Sequence, residues 1–361
     1  MRRPGVLHLV DTLDPGGAER VAVNLVNHLS RERFRPFLGT TRREGPLAAG
    51  IRPDVGRLAL NRTRTLDLGA LRRLLAFVRE NDVAIVHAHA SALFFARLAA
   101  LASPHLKVIW HDHFGRYLEE ERPAWLWGPL ARRTAAVVAV NEDLARWSRE
   151  RLGAGPVVYL PNFVPETPEA PVPDLPGQPG LRVVCVANLR AQKDHPNLLR
   201  AFARVLRDEP EARLLLAGAE IEAGYAARVR EEATRLGDRV VFLGSRSDVP
   251  ALLRACDVGV LASTSEGFPL SLLEYGLAGL AAVATRVGQC AEVLEGEAGV
   301  LVPPADPDAL GRAILALLRD PAGRAFLGDR LARRVRERYS AAAVMERLEA
   351  VYHRALTPGT P

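Results

Sequence analysis

Lysine is nearly absent from this chain: only Lys107 and Lys193 occur, and every other cationic side chain is arginine. Where arginine serves almost everywhere a cation would do, a surviving lysine marks a place that needs a compact ammonium point charge. Cysteine is scarce as well. Cys185, Cys256 and Cys290 are odd in number, widely spaced and set among apolar or small neighbours, which argues against a disulfide framework or a cysteine metal cage and reads as three buried thiols. No apolar run approaches the ~20 residues needed to cross a bilayer; the longest candidate, 92–102, is interrupted by Arg97. The opening Met1-Arg2-Arg3-Pro4 runs straight into Val6-Leu7-His8-Leu9-Val10 without the apolar region and small-residue cleavage site of a signal peptide. The expected location is therefore cytoplasmic. Short-period repeats are missing too, which excludes a solenoid.

What is present is the balance of a folded protein. Of 361 residues 48% are hydrophobic and 25% charged, too long a chain for one ordinary domain and about right for two. The net charge of +6 reads either as a solvated arginine-rich surface or as a footprint for an anionic partner. Arg31, Arg33, Arg35, Arg42, Arg43, Arg52, Arg57, Arg62, Arg64, Arg72 and Arg73 crowd the first 75 residues, so any such partner would meet the N-terminal half. A nucleic-acid partner is not expected.

The first half alternates short apolar strand patterns (6–10, 35–40, 83–88, 107–111, 136–141 and 157–160) with helical periodicity (17–29, 68–80, 92–102 and 142–151). Strands apolar on both faces and separated by helices predict a parallel, doubly wound, Rossmann-like sheet. Residues 164–180 read VPETPEAPVPDLPGQPG, so rich in proline that neither helix nor sheet continues through them. After this linker the alternation restarts, with strands at 181–186, 213–216, 240–243, 258–261, 281–284 and 300–302 and helices at 197–208, 222–236 and 248–255. Helical segments at 306–318, 324–338 and 341–353 finish the chain. The expected organisation is an α/β protein with one Rossmann-like domain at 1–163, a linker at 164–180, a second Rossmann-like domain at 181–338 and a C-terminal helical segment at 339–361. Two such domains would face each other across a cleft lined by their strand carboxyl ends.

Four constellations carry chemistry. Asp14-Pro15-Gly16-Gly17-Ala18-Glu19-Arg20 follows the first strand and opens the first helix; taken alone it reads either as a tight structural turn or as a phosphate site, since paired glycines permit close backbone approach and a helix N-terminus offers N–H groups. It is not Gly-x-Gly-x-x-Gly, so a nicotinamide dinucleotide fits poorly. In Asn188-Leu189-Arg190-Ala191-Gln192-Lys193-Asp194, a guanidinium and the rare ammonium stand three residues apart on one loop, able to neutralise a departing diphosphate. Two cations there make a divalent metal dispensable. Ser263-Thr264-Ser265-Glu266-Gly267-Phe268-Pro269-Leu270 leads into a helix that carries Glu274. Pro269 suits a first helical turn, the N–H groups of Gly267, Phe268, Pro269's neighbours and Leu270 would face a ligand, and both carboxylates can accept from sugar hydroxyls. Last, His87-Ala88-His89 and His111-Asp112-His113 end consecutive strands. Residues i and i+2 share a strand face, so four imidazoles gather at the sheet's carboxyl edge, either as polar cleft lining or as the metal site of a hydrolase.

Together and in order these motifs resemble glycosyltransferase family 4, the retaining GT-B enzymes, over nearly the whole chain. Gly16-Gly17-Ala18-Glu19 looks like the family's N-terminal glycine loop, residues 188–194 like its diphosphate segment, and Glu266 with Glu274 like its E-x7-E pattern; Val287-Gly288, Glu292, Gly299 and Val302 also fall in place. The resemblance implies that Arg190 and Lys193 bind the donor diphosphate. Glu274 would hold the ribose, and Glu266 with the backbone of Gly267, Phe268, Pro269 and Leu270 the transferred sugar. Gly16 and Gly17 would close over the phosphates, Gly244 and Ser245 within 244–247 would hold the base, and His113 would sit near the acceptor and anomeric carbon. It further implies retention of configuration, no metal or other cofactor (the nucleotide-sugar being a substrate), and a C-terminal helix, 341–353, packing back on the first domain. Departures stand at Tyr275-Gly276 where Ala-Met is usual, at Ala281 where proline is usual, and at Asp194 where glycine is frequent.

The expected activity is transfer of a hexose from a UDP- or GDP-linked donor to a hydroxyl of a saccharide or lipid-linked acceptor, in cell-envelope polysaccharide or glycolipid synthesis. Trp125-Leu126-Trp127 followed by Arg132-Arg133 would suit either peripheral attachment to an anionic membrane surface at its inner face or packing of the tryptophans in the core or a crevice. Competing readings are a metal-dependent hydrolase on His87, His89, His111 and His113, a nucleotide-sugar epimerase of the same architecture, and a catalytically silent sugar-nucleotide binding module.

Overall fold

The computed structural model describes residues 3–113, 123–166 and 171–357. The chain forms two compact units, Met1–Phe163 with Ala341–Pro361, and Val164–Ser340. In the first, β1 (Gly5–Val10), α1 (Gly17–His28), β2 (Arg35–Thr40), β3 (Gly56–Ala59), α2 (Leu68–Glu80), β4 (Val83–His89), α3 (Ala92–Ala102), β5 (Lys107–Asp112), α4 (Ala124–Ala131), β6 (Ala136–Ala139), α5 (Glu142–Glu150) and β7 (Val157–Tyr159) follow in turn. The strands make one sheet in the order β3-β2-β1-β4-β5-β6-β7, parallel throughout. Parallel neighbours need a crossover between them, and α1, α3 and α5 stand between the neighbours β1 and β2, β4 and β5, and β6 and β7. Asp67 and Asn141 cap α2 and α5 by accepting from the N–H groups of Ala70 and Leu144.

One face of this sheet matches its apolar reading. Leu7, Leu9, Val86, Ala88, Val108 and Trp110 pack with Leu74 and Val78 of α2 and Leu93, Phe95 and Ala96 of α3. The other face corrects it: on the three central strands the alternate positions include His8, His87, His89 and His111, all buried. Polar rings are tolerated there because they pair with one another, as the site geometry shows. Two elements escape the sequence pattern. The edge strand β3 is four residues of half-exposed GRLA, and α4 contains Pro129.

The second unit runs β8 (Arg182–Val186), α6 (His195–Asp208), β9 (Arg213–Ala217), α7 (Ala223–Ala233), β10 (Val240–Gly244), α8 (Val249–Arg254), β11 (Val258–Leu261), α9 (Leu270–Leu277), β12 (Ala281–Thr285), α10 (Cys290–Val293), β13 (Val300–Val302), α11 (Pro307–Arg319) and α12 (Pro321–Arg338). Its sheet, β10-β9-β8-β11-β12-β13, is again parallel. Its core joins Val183, Cys185, Leu214, Leu216, Val258, Val260 and Val283 to Leu198, Phe202 and Ile314. The helix expected over 222–236 stops at Ala233; a 3₁₀ turn follows and is broken at Gly237, where φ is +59. All three cysteines are buried and free, and burial pushes the Cys185 thiol up to about 12.

The last helix, α13 (Ala341–Leu356), belongs to the first unit. Its Glu349 accepts from the Ser30 N–H at 3.0 Å and pairs with Arg33, Arg347 donates to the Tyr159 carbonyl at 2.6 Å, and Tyr352 reaches the histidine face.

Candidate active site

In each sheet the strand order reverses beside the first strand, at β1/β4 and at β8/β11. Loops leaving such a switch point in opposite directions open a crevice at the carboxyl ends of the strands, the usual place for a ligand in an open α/β sheet. Of the sequence-predicted residues, Gly16, Arg190, Lys193 and Glu266 lie on the segments that follow β1, β8 and β11, whereas Gly244 ends β10 and Ser245 follows it, His113 follows β5 and Glu274 lies within α9.

In the second unit the loop after β8 is held from behind. Leu189 N–H donates to the Ala219 carbonyl at 2.8 Å, and Asn188 Oδ1 accepts from Ala219 N–H at 3.0 Å. Gly218 permits this approach, since a Cβ there would stand 2.0 Å from the Ala187 carbonyl oxygen. A short 3₁₀ turn, Ala191–Lys193, then hands over to α6 at Asp194, whose φ of +44 lies in the left-handed region and whose carboxylate caps the helix. That conformation accounts for the frequency of glycine at this position in the family it resembles.

Lys193 Nζ reaches Glu266 Oε1 at 2.5 Å, and Ser263 Oγ donates to the same oxygen at 2.6 Å. The pair is well covered, with side-chain exposures of 19% and 7%, so the attraction acts with little screening by solvent. The lysine that composition singled out and the first glutamate of the E-x7-E pattern therefore meet. Arg190 sits at the start of the 3₁₀ turn with its Nε buried and without a hydrogen-bond partner among the described residues. Glu274 is the fifth residue of α9 and half-buried; Pro269 stands at the N-cap of that helix, just outside the first turn where the sequence put it. Gly267 and Phe268 precede it, and Phe268 is buried against Tyr339. Gly244 has φ +64 and its carbonyl accepts from Gly218 N–H at 2.8 Å, while Ser245 is exposed.

Two supports behind this site were not legible as such. The β8/β11 ladder pairs Val183 with Val258 and Val184 with Gly259. Beyond it the Tyr275 hydroxyl inserts, accepting from Val186 N–H and donating to the Val260 carbonyl, each at 3.0 Å. The ring fits because position 259 is glycine: a Cβ there would lie 2.6 Å from it. Tyr275, an unusual residue on sequence grounds, thus joins the two strands from which the Lys193 and Glu266 loops depart. The second support is Gly288, with φ +47 and room for no Cβ, which would fall 1.8 Å from the Glu266 carbonyl oxygen.

In the first unit Gly16 caps α1, with its carbonyl accepting from Arg20 N–H at 3.1 Å; Gly17 opens the helix with free space around its Cα. Beside them Asp11, just past β1, accepts from Thr41 Oγ1, from Ser91 Oγ at 2.6 Å and from Arg62 at 3.3 Å. Arg62 is 8% exposed, and Arg31, Arg33, Arg35, Arg43, Arg52 and Arg57 also have carboxylate partners. Much of the N-terminal arginine excess is therefore neutralised locally. Trp127 stacks on Trp110 at 5.5 Å, whereas Trp125 is 78% exposed.

The four predicted histidines do gather, and His8 joins them. In register His8 stands beside His87, and His89 beside His111. Neighbouring rings stack, His87 on His89 at 4.8 Å and 14°, His89 on His113 at 5.2 Å and 16°. Burial pushes all five well down from the ordinary histidine value, His8 and His113 to about 3. One nitrogen each of His87, His89 and His111 lie within 4.8 Å of one another, the spacing of a loose metal triad. His111 is tilted by 41° and 31° against His87 and His89, and nitrogens of all three are already in hydrogen bonds.

Residues 15–167 match the family described as Glycosyltransferase Family 4, and residues 180–320 the family described as Glycosyl transferases group 1. Among curated proteins, N-acetyl-alpha-D-glucosaminyl L-malate synthase of Bacillus anthracis is 30% identical over 48% of this chain and 45% of its own length. Phosphatidyl-myo-inositol mannosyltransferase of Mycolicibacterium smegmatis is 28% identical over 78% and 74%. The lipopolysaccharide core mannosyltransferase LpcC of Rhizobium leguminosarum is 32% identical over 50% and 53%. The matched region thus spans 45% and 53% of the first and third of these relatives. Among solved structures, Anabaena HepE in complex with UDP and glucose superposes with a TM-score of 0.81 at 20% identity, covering 96% of this chain and 99% of that one. Sucrose-phosphate synthase from Thermosynechococcus elongatus gives 0.77 at 20% identity, over 97% and 98%. At such identity the likeness is one of fold, the GT-B class with two Rossmann-like sheets.

Proposed function

Because the chain belongs to glycosyltransferase family 4, we propose that it transfers a hexose-type sugar from a UDP- or GDP-linked donor to a hydroxyl of a saccharide or lipid-linked acceptor, with retention of configuration and without a metal. The observation that carries this reading is the buried Lys193–Glu266 pair at the β8/β11 switch point, on the two loops that the family signature marks. A diphosphate entering there competes with Glu266 for the ammonium, which frees the carboxylate to accept from the hydroxyls of the sugar. Arg190 and Lys193 neutralise the charge that builds on the leaving diphosphate, and the N–H groups at the start of α9 add to this. Glu274 takes the ribose and residues 244–247 the base. The anomeric carbon passes through an oxocarbenium-like state. The acceptor oxygen bonds to it on the face that the phosphate leaves, and the departing phosphate oxygen takes the acceptor's proton.

Lipid and envelope acceptors are favoured by the inositol-lipid and lipopolysaccharide names among the relatives. Exposed Trp125 and Leu126 offer an apolar contact for an anionic membrane surface, and salt-sensitive flotation with anionic liposomes tests that contact. A thermal-shift screen against UDP, GDP, ADP and their hexose conjugates tests the donor site: one nucleotide should stabilise the wild type and not the Lys193→Ala, Glu274→Ala variant. No shift with any of them would remove the reading. The 4.8 Å grouping of His87, His89 and His111 supports one second reading, a metal-dependent hydrolase. It requires stoichiometric metal by elemental analysis and loss of activity with chelator.

A further inference from the structure

The histidine cluster is an ordered, unbranched chain of hydrogen bonds. His113 Nε2 lies 2.9 Å from His89 Nδ1, and His89 Nε2 lies 3.0 Å from His8 Nδ1. His8 Nε2 is 3.1 Å from the Tyr352 hydroxyl, which is 2.6 Å from His87 Nδ1. His87 Nε2 is in turn 3.1 Å from His111 Nδ1. Every interior ring uses each of its nitrogens once. At the far end His111 Nε2 is buried with no hydrogen-bond partner among the described residues.

Such a chain has a direction. A neutral imidazole has one N–H donor and one bare acceptor nitrogen, and a tyrosine hydroxyl has one hydrogen to give. Burial keeps all five rings neutral near pH 7. Each ring must therefore pass on the sense of its neighbour, and only two senses exist. In the first, every ring carries its proton on Nδ1. His111 donates to His87, His87 to the Tyr352 oxygen, Tyr352 to His8 Nε2, His8 to His89 Nε2, and His89 to His113 Nε2. In the second, every proton sits on Nε2, and His111 is left with a buried N–H that nothing accepts. Orphaned buried N–H groups are rarer than under-satisfied buried acceptors, so the closed end at His111 selects the first sense.

We propose that this chain fixes His113 as its Nδ1–H tautomer, so that His113 donates a hydrogen bond to an oxygen of the saccharide acceptor and does not serve as a base. The inference rests on the reading of the first unit as the acceptor side of a glycosyltransferase. With Nε2 occupied by His89 and Nδ1 protonated, His113 has no lone pair left for a hydroxyl proton. The chain cannot drain a proton away either, because it ends at a buried nitrogen without a partner. His8, His89, Tyr352 and His87 are positioning residues that act through His113.

The decisive measurement is a long-range ¹H–¹⁵N correlation spectrum of the full ¹⁵N-labelled chain near pH 7, with rings assigned from single histidine variants. A protonated Nδ1 and bare Nε2 on His113 is the expected result; a protonated Nε2, or an even mixture, overturns the proposal. This readout needs no substrate, so it stands apart from any failure to find transfer activity. Tyr352→Phe should leave far-UV ellipticity unchanged while His87 and His111, now without an acceptor at one end, show both tautomers; a single unchanged tautomer on both would mean that Tyr352 does not link the chain. In the transfer assay, His113→Asn puts an amide N–H near the ring Nδ1 position and should keep at least about a tenth of wild-type kcat, with a flat pH profile. Activity of His113→Asn as low as that of His113→Ala, beside a wild-type rate that rises through an ionisation near neutral pH, would make His113 a base and end the proposal.

Discussion

The two sheets share one plan, a parallel ladder reversed beside its first strand, yet they fill the switch point in opposite ways. The second unit places full charges there, Lys193 against Glu266. The first places rings that burial holds neutral, joined nitrogen to nitrogen. A charged pair suits a ligand that brings its own charge, since a diphosphate can replace the carboxylate beside the ammonium. A neutral hydrogen-bonded lattice suits an uncharged polyol, for which direction of donation matters more than field strength. The contrast teaches that the fold sets where a site lies and the side chains at its edge set what it can bind.

Acid should separate the two units most widely. The unfolded chain takes up histidine protons near pH ~6.5, whereas His8 and His113 resist down to about 3 and their three neighbours are also lowered. Below the unfolded value the unfolded state thus binds more protons, so stability present above it is lost as pH falls toward the folded values, by about 1.4 kcal/mol per ring and pH unit. The second unit contains one histidine, His195, lowered to about 4. Trp110, Trp125, Trp127 and Trp147 are all in the first unit, so their fluorescence should report unfolding at a higher pH than the remaining far-UV ellipticity. Coincident transitions would break the comparison.

The next effect is on chemistry. Lys193→Ala removes the ammonium and leaves Glu266 covered and unpaired, so turnover should fall about 100-fold or more and the second unit should lose about 3 kcal/mol. Steady-state kinetics and denaturant titration measure the two. Tyr275→Phe deletes the hydroxyl between β8 and β11, and a cost of about 1–2 kcal/mol with a higher KM for donor is expected. An unchanged KM would separate strand pinning from donor binding. Smallest is Arg43→Ala, whose partner Asp14 is also exposed; its effect should stay within about 0.5 kcal/mol in the same titration.

The strands, the crossovers and Lys193 with Glu266 could be read from sequence because each leaves a local trace: an apolar run, a helical period, a rare residue, a fixed spacing. Edge strand β3 left none, being four residues with a polar, half-exposed pattern. His8 on its apolar strand looks like any polar interruption, since its partners His89 and Tyr352 lie 81 and 344 positions away. The fit of Tyr275 to Gly259 is likewise a fact of packing between a helix and a strand, visible only once both are placed.

The first unit is discontinuous, with α13 supplied by the end of the chain, and this bears on the order of synthesis. Residues 164–340 form a continuous unit that can fold as soon as it emerges from the ribosome. The first sheet emerges earlier but lacks Tyr352, so until the last helix appears His8 and His87 have no hydroxyl between them. The nascent N-terminal half therefore spends the synthesis of the whole second unit incomplete, a stretch of exposure in which chaperones have something to hold. A message truncated shortly before residue 341 would yield a second unit able to fold and a first unit unable to finish.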